Sequence, residues 1–468
     1  MSSSVAPGLK RVLGRADLVL LFVVAITNLN VVPVIAANGP VTLWLWLLAL
    51  GFFFWPQGIA VIELARRHPE EGGVYVWTKA AFGDFHGFLS GWCYWTNNIF
   101  YVPTVLLYLV GVVVYAFGPQ AASFADNRPF AFTVSTTLLW ALVWLNTRGL
   151  GVGKWVNNAG GVGTAVASLA LIGLAVARLL RHGSALSAGD FAPASVDFHM
   201  VSSFGVICFG LVGLELASVM GDEIRDPDRE LPPAVLWGGV ISGFLYLGAT
   251  LAVLLAVPAS EVGVIQGVVQ AVQRMASDVG VSFLVAPVAA VLSVSIAGIA
   301  SAWLAGSARI PFVVGLDRFL PPALGRVHPR YGTPYVALIV QALLCTAFLA
   351  MSFVGASVRE AYVTLLDLAV VLQLVPYLYL YAALLKYSLA SAAPARCYSK
   401  GTLRFAAVAG LLTTSLGMIV AFVPSRQIES VLLFELKMIL GCGVFLGLAG
   451  FFFGRGRRAR SAPNLTVR

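Results

Sequence analysis

Charged residues are scarce in this chain of 468 residues. Asp, Glu, Lys and Arg make up 11% of it, against about 25% in an average soluble protein. None of the four occurs between residues 18 and 62. A stretch of that length holds two membrane-spanning helices of about 20 residues each, and Asn38-Gly39-Pro40 is typical of a turn between them. The scarcity of charge excludes an ordinary soluble domain and indicates a membrane protein.

Metal-binding and catalytic patterns are also missing from the sequence. The five cysteines have no paired spacing, which argues against a disulfide framework and against a metal site. The five histidines lie at or near predicted loops, and no His-Glu-x-x-His motif occurs. We therefore predict no metal and no cofactor, and a membrane-embedded enzyme is disfavoured because it would need an intramembrane nucleophile and base.

The apolar runs predict an all-α membrane protein with about twelve transmembrane helices. Each run is long enough to cross a bilayer and is bounded by charged or turn-forming residues. The predicted spans are residues 18–37, 42–62, 86–117, 129–147, 155–180, 200–221, 234–257, 282–308, 334–354, 361–385, 405–424 and 431–453.

The distribution of cations predicts the orientation. With an even number of spans both termini lie on one side, and that side carries 23 of the 30 lysines and arginines while the other carries 7. The positive-inside rule then places both termini in the cytoplasm, with the chain in the cytoplasmic membrane. Because the cations are dispersed over loops, the net charge of +9 predicts no nucleic-acid partner. The basic tail at 454–468 is suited to contact with anionic lipid.

Two of the predicted spans are interrupted near their middle. Span six contains Phe209-Gly-Leu-Val-Gly-Leu-Glu215, and span one contains Thr27-Asn-Leu-Asn-Val-Val-Pro33. Glycine, proline, amides and a carboxylate are costly in lipid, so such breaks persist where they line a cavity. In transporters they mark the substrate site. The sequence therefore predicts a secondary transporter with its site between spans one and six.

The two interrupted spans are five spans apart and therefore cross the membrane in opposite directions. This arrangement predicts a five-plus-five inverted repeat. Two short amphipathic segments, at 63–84 and 261–279, occupy corresponding positions in the two halves, although two unrelated loop helices are the alternative. The predicted divisions are a cytoplasmic segment (1–17), the first repeat (18–181), the second repeat (198–388), two C-terminal spans (403–453) and the tail (454–468).

Three stretches together resemble the amino acid–polyamine–organocation (APC) superfamily of transporters. They are PEEGGVYVWTKAAFGD at 69–84, GLVGLE at 210–215 followed by EIRDPDRELP at 223–232, and LDRFLPP at 316–322 followed by HPRYGTP at 328–334. The resemblance implies the LeuT-type fold and alternating access, and it is closest to bacterial amino-acid permeases of the glutamate/γ-aminobutyrate antiporter branch. The chain departs from it at Asn28-Leu29-Asn30-Val31, where amino-acid members carry a glycine-containing turn that binds the substrate carboxylate.

Several residues near the breaks are candidates for substrate binding. Asn28 and Asn30 offer amides to a carboxylate or else satisfy the break itself, while Gly210 and Gly213 let backbone carbonyls approach an ammonium group. The resemblance implies that Phe209 closes over the substrate and that Trp303 walls the pocket, with core packing as the alternative for Phe209. Asn97 and Tyr101 share a helix face and either touch the ligand or bond a neighbouring helix.

Glu215 and Asp367 are isolated intramembrane carboxylates and the candidates for coupling or gating. Glu215 either binds a proton or cation, or locks the broken helix by accepting from its freed amides. Asp367 either takes part in coupling or amine binding, or packs between helices. A proton or a counter-substrate is the implied coupling partner.

We predict a permease or antiporter that moves an amino acid or related amine and works as a monomer or homodimer. A polyamine or organic-cation uptake transporter is the first alternative. A non-transporting amino-acid sensor on the same fold is the second, because a site between broken helices can bind a ligand without cycling.

Overall fold

The computed structural model describes residues 13–70, 72–184, 186–192, 198–219, 223–317, 319–353, 357–390, 397–423 and 430–461. Among the predicted segments, residues 1–12, 71, 220–222, 318, 354–356, 424–429 and 462–468 lie outside these ranges. Within them the regular elements are helices, with one isolated β-bridge. The prediction of an all-α protein is confirmed.

The α-helices are α1 (Arg15–Ile26), α2 (Val32–Ala36), α3 (Thr42–Ala49), α4 (Trp55–Arg67), α5 (Val74–Phe82), α6 (Asp84–Val113), α7 (Arg128–Thr147), α8 (Leu150–His182), α9 (Phe198–Gly210), α10 (Leu216–Val219), α11 (Pro227–Ala256), α12 (Gly267–Val279), α13 (Val285–Ser307), α14 (Arg309–Leu316), α15 (Tyr335–Ser352), α16 (Val358–Leu389), α17 (Lys400–Val420) and α18 (Val431–Ser461).

In the described ranges, nine helices are long and apolar enough to cross a membrane. The other three predicted spans coincide with α1 and α2, with α9 and α10, and with α15, a shorter apolar helix. The total of twelve spans stays a prediction. Helix α18 runs to Ser461, beyond the predicted end of the last span at 453, through a stretch that contains Gly454 and Gly456 but no proline.

Both predicted breaks are present. Helix α1 ends at Ile26 and α2 begins at Val32, and Pro33 in its first turn has no amide hydrogen to continue the helix. Between α9 and α10, Gly213 has φ +133°, a conformation that favours glycine. A Cβ atom on Gly213 would lie 3.1 Å from a side-chain carbon of Ile26, so the two breaks pack against each other.

A third irregularity lies between α3 and α4. Residues Leu50–Phe54 form a π-helical turn, which leaves backbone carbonyls without their usual partners. The carbonyl of Phe53 accepts a hydrogen bond from the Tyr381 hydroxyl (2.7 Å), and that of Phe52 accepts from Thr413 (3.1 Å). Neighbouring helices thus satisfy the backbone that this turn exposes.

Both predicted amphipathic segments contain a short helix. Helix α5 lies within 63–84 and α12 within 261–279, and the apolar face of α12 is buried. Gly73 at the start of α5 approaches Val219 at the end of α10, whereas Gly267 at the start of α12 approaches Pro33 of α2. The two helices therefore lie at opposite ends of the bundle, as an inverted repeat requires.

Residues just before α1 and in the C-terminal part of α18 contact loops at one end of the bundle. Leu13 and Ile224 form a parallel β-bridge, in which the Leu13 amide donates to the Glu223 carbonyl (3.1 Å). Glu223 also forms a buried ion pair with Arg309 (3.0 Å). Phe319, in the loop after α14, stacks on Phe453 of α18. These contacts close this end, which we call the terminal end.

Helices α8 and α13 cross with almost no space between their backbones. A Cβ atom added to Gly160 would lie 2.6 Å from the Cα atom of Gly298, too close for any side chain. Small residues at such crossings allow the close packing that holds membrane helices together.

We expect Gly160→Ala to lower the melting temperature, by the equivalent of about 1–3 kcal/mol, because the added methyl group must push the two backbones apart. Gly173→Ala is the matched control: it lies in the same helix, and nothing stands within 4 Å of its added Cβ. Equal melting temperatures for the two variants in detergent would contradict the expectation.

Candidate functional site

Tyr246 of α11 lies where the two breaks meet. Its hydroxyl accepts from the amide of Asn28 (2.8 Å) and lies within donating distance of the carbonyls of Ile26 (2.5 Å) and Gly210 (2.9 Å). Its ring stacks on Trp46, with the centroids 4.4 Å apart. One side chain therefore holds the exposed backbone of both broken helices.

Two more tyrosines satisfy carbonyls of the first break. The Tyr362 hydroxyl donates to the carbonyl of Asn30 (2.8 Å), and the Tyr108 hydroxyl donates to that of Leu29 (3.4 Å). The amides of Leu29 and Asn30 have no hydrogen-bond partner among the described residues. Within the described residues, the first break thus has two free N–H groups, while the carbonyls of Leu29 and Asn30 are satisfied and that of Thr27 is not.

The second break also leaves backbone groups free. The Gly213 amide donates to the Glu215 carboxylate (3.0 Å). In the part of the chain that the structure describes, the carbonyls of Leu211 and Val212 and the amide of Leu214 have no partner. Both breaks therefore offer unpaired backbone groups to a ligand.

Three of the predicted site residues form an aromatic cluster. The Tyr101 ring makes edge contacts with Phe209 (centroids 5.0 Å apart) and with Trp303 (5.8 Å). The indole of Trp303 donates to the carbonyl of Ala25 at the end of α1 (3.1 Å). The Tyr101 hydroxyl is buried and has no partner among the described residues. The cluster joins α6, α9 and α13 beside both breaks.

Glu215 is fully buried at the centre of a network of neutral groups. Its two carboxylate oxygens are within reach of donors from α4, α6 and α16 as well as from its own segment. The donors are the hydroxyls of Tyr377 and Tyr94 (3.1 Å), the amides of Gln57 (3.1 Å) and Gln373 (3.5 Å), and the backbone of Gly213 (3.0 Å). Glu215 forms no ion pair with any residue in the described ranges.

The remaining predicted residues are distributed around this centre. Asn97 donates to the side chain of Gln373 and so joins the Glu215 network. Asn28 donates to the carbonyl of Ala25 (2.9 Å), and Asn30 lies 3.5 Å from the Tyr362 hydroxyl. The side-chain oxygens of all three asparagines are buried without a partner in the described residues.

Asp367 lies on α16, between Tyr362, which contacts the first break, and Gln373, which contacts Glu215. Its carboxylate is partly exposed and has no hydrogen bond or ion pair to any other described residue. The structure therefore does not bring Asp367 into the Glu215 network.

The sequence reasoning missed the tyrosines. Tyr246, Tyr377 and Tyr94 lie in apolar helices, and their partners are backbone groups or residues far along the chain. The spacing of Gln373 and Tyr377, four residues apart on α16, was a usable signal, because it puts two polar groups on one face of a spanning helix.

The profile of the amino acid permease family matches residues 12–442, nearly the whole chain. The chain belongs to the amino acid permease family. Membership confirms the predicted resemblance to the APC superfamily and identifies the protein as a transporter rather than an enzyme. The narrower resemblance to the glutamate/γ-aminobutyrate antiporter branch stays a prediction.

Similar proteins include two bacterial transporters and one solved structure. This permease is 28% identical to an uncharacterised transporter of Legionella pneumophila over 95% of this chain and 97% of that one. It is 21% identical to the probable agmatine/putrescine antiporter AguD of Lactococcus lactis over 88% of each chain. The structure of MhsT in complex with L-phenylalanine matches with a TM-score of 0.62 at 16% identity, covering 88% of this chain and 100% of that one, which confirms the predicted LeuT-type fold.

Proposed function

We propose that this permease moves an amino acid or a related amine across the cytoplasmic membrane by alternating access, as a permease or antiporter. The observation that carries the proposal is that both breaks leave backbone groups without partners among the described residues, beside the aromatic cluster. The free amides of Leu29 and Asn30 suit a carboxylate, and the free carbonyls of Leu211 and Val212 suit an ammonium group. A zwitterion presents both charges over a short distance.

The aromatic cluster supplies the rest of the proposed site. Tyr101, Phe209 and Trp303 offer apolar surface for the substrate side chain, and the free hydroxyl of Tyr101 offers one further hydrogen bond. Binding sites for small molecules combine apolar walls with a few convergent polar groups in this way.

The closed terminal end supports alternating access. The Leu13–Ile224 bridge and the Glu223–Arg309 pair must separate before a substrate between the breaks can leave through that end. The excess of cations on this side supports its assignment to the cytoplasm. Glu215, linked to α4, α6 and α16, is the proposed coupling residue.

We expect zwitterionic amino acids to raise the melting temperature of the purified permease, because a ligand that binds the native state stabilises it by mass action. Tyr101→Phe is expected to weaken that stabilisation, with the apparent dissociation constant rising about 3- to 10-fold through loss of one hydrogen bond. An unchanged melting temperature without ligand is the control. An unchanged ligand affinity in Tyr101→Phe would show that the Tyr101 hydroxyl does not bind the ligand.

A polyamine or organic cation is the second candidate substrate. The partner-free carboxylate of Asp367 favours it, since an intramembrane carboxylate needs a cation or a proton. AguD, a similar protein, is named as a probable agmatine/putrescine antiporter. Stabilisation by diamines and not by amino acids, lost in Asp367→Asn, would favour this candidate.

A further inference from the structure

An apolar groove of about 660 Å³ lies on the outer surface between α4 and α11. One wall runs from Leu50 to Ile62, and the other from Pro232 to Phe244. Its floor includes Leu214, the residue immediately before Glu215 in the break. The groove therefore connects the membrane-facing surface to the broken helix.

Three glycines line the groove, Gly58 on one wall and Gly239 and Gly243 on the other. Added Cβ atoms on Gly239 and Gly243 would lie 3.1 Å from Phe54 and 3.3 Å from Leu50, so these glycines let the two walls approach each other where they touch. The wall from Leu50 to Ile62 is about 18 Å long at 1.5 Å per residue, close to the ~15 Å of hydrocarbon in one leaflet. A groove of this length and volume suits a single extended acyl chain.

Basic residues lie at the end of the groove near the terminal end. Arg66 follows Ile62 on α4, and its guanidinium lies 3.4 Å from Asp228 of α11, so the pair spans the opening between the two walls. Arg66 also contacts Cys397, next to the lining residue Tyr398. Arg229 nearby is 85% exposed on its side chain and lies 3.8 Å from Asp226. A phosphate at this opening would compete with the exposed carboxylates of Asp228 and Asp226 for two guanidinium groups, which bind phosphate well.

We propose that this groove binds one acyl chain of an anionic phospholipid, with the headgroup at Arg66. The middle of the chain would contact Leu214 and the nearby Gly58, where a Cβ atom would lie 3.7 Å from Leu214. Occupancy would then support the second break from outside and couple lipid composition to the mobility of that break. The site is independent of which substrate the permease carries.

Native mass spectrometry of the detergent-purified permease tests the proposal, with phosphatidylglycerol and phosphatidylcholine offered in equal amounts. We expect wild type to retain one phosphatidylglycerol preferentially and Val240→Trp, which adds bulk on the groove wall, to retain at least 5-fold less. Val444→Trp is the matched control, because both valines are similarly exposed (57% and 55%) and Val444 lies on α18, away from the groove. Arg66→Gln is expected to remove the preference for the anionic lipid.

Equal retention of phosphatidylglycerol by Val240→Trp and Val444→Trp would overturn the proposal, and so would equal retention of the two lipids by wild type. Should Val240→Trp fail to fold, phosphatidylglycerol with brominated tails replaces it as the probe. Trp55 lines the groove, so the bound brominated lipid should quench its fluorescence. The contribution of Trp55 is the difference in fluorescence between wild type and Trp55→Phe. The absence of quenching would also overturn the proposal.

Discussion

Glu215→Gln is expected to abolish transport, by about 100-fold or more, while the protein stays folded. Glutamine has nearly the same shape, and in one orientation its oxygen still accepts from Gly213 and Gln57 while its NH₂ group donates to the Tyr94 hydroxyl. The 3.5 Å contact from Gln373 is the one that is lost. Unlike glutamate, glutamine cannot carry a negative charge or bind and release a proton. Because a buried ionisable group in a membrane is retained for function, we expect this loss to stop transport.

Uptake into proteoliposomes, with imposed gradients of pH, measures this effect. Glu435→Gln, an exposed position on α18, controls for the preparation, and Asp367→Asn asks whether the coupling group lies on α16 instead. Normal, pH-dependent uptake by correctly inserted Glu215→Gln would contradict the assignment. Loss of uptake in Asp367→Asn but not in Glu215→Gln would identify Asp367 as the coupling residue.

The second large effect is expected for Tyr246→Phe, which should lower the transport rate about 10- to 100-fold. The variant keeps the stacking of the ring on Trp46 but removes the hydroxyl shared by Asn28, Ile26 and Gly210. An unsatisfied buried polar group costs about 1–3 kcal/mol, and the two breaks lose the side chain that joins them.

Tyr381→Phe is the matched control for this experiment. Its hydroxyl also donates to a backbone carbonyl inside the membrane, that of Phe53, but it does not join the two breaks. We expect similar losses of melting temperature in the two variants and a large transport defect only in Tyr246→Phe. Equal transport rates would show that the hydroxyl of Tyr246 contributes to stability alone.

The breaks were predictable because they follow from local chemistry: Pro33 cannot continue a helix, and Gly213 adopts a positive φ. The aromatic cluster was predictable only through the family resemblance, since nothing in the local sequence brings Phe209 to Tyr101. Asn97 and Tyr101 do share a helix face, yet Asn97 bonds Gln373 while Tyr101 contacts Phe209, so the periodicity of one helix did not decide what each residue meets.

The Glu215 network was predictable only in part, through the spacing of Gln373 and Tyr377, and for a different reason. Each of its donors is a common neutral side chain in an apolar helix, where a tyrosine or glutamine indicates helix packing as readily as function. Only the convergence of three helices on one carboxylate distinguishes them. The groove between α4 and α11 is likewise invisible in the sequence, because it depends on which faces of the two helices are left apart.

The contacts of the first break also constrain the order in which the protein is built. The carbonyl of Asn30 receives its hydrogen bond from Tyr362, 332 residues later in the chain, and Leu13 pairs with a segment that follows the second break. The first helix is therefore synthesised long before the groups that satisfy its backbone. Backbone groups without partners are costly in hydrocarbon, so the nascent helix has to remain continuous, shielded or only partly inserted until its later neighbours arrive.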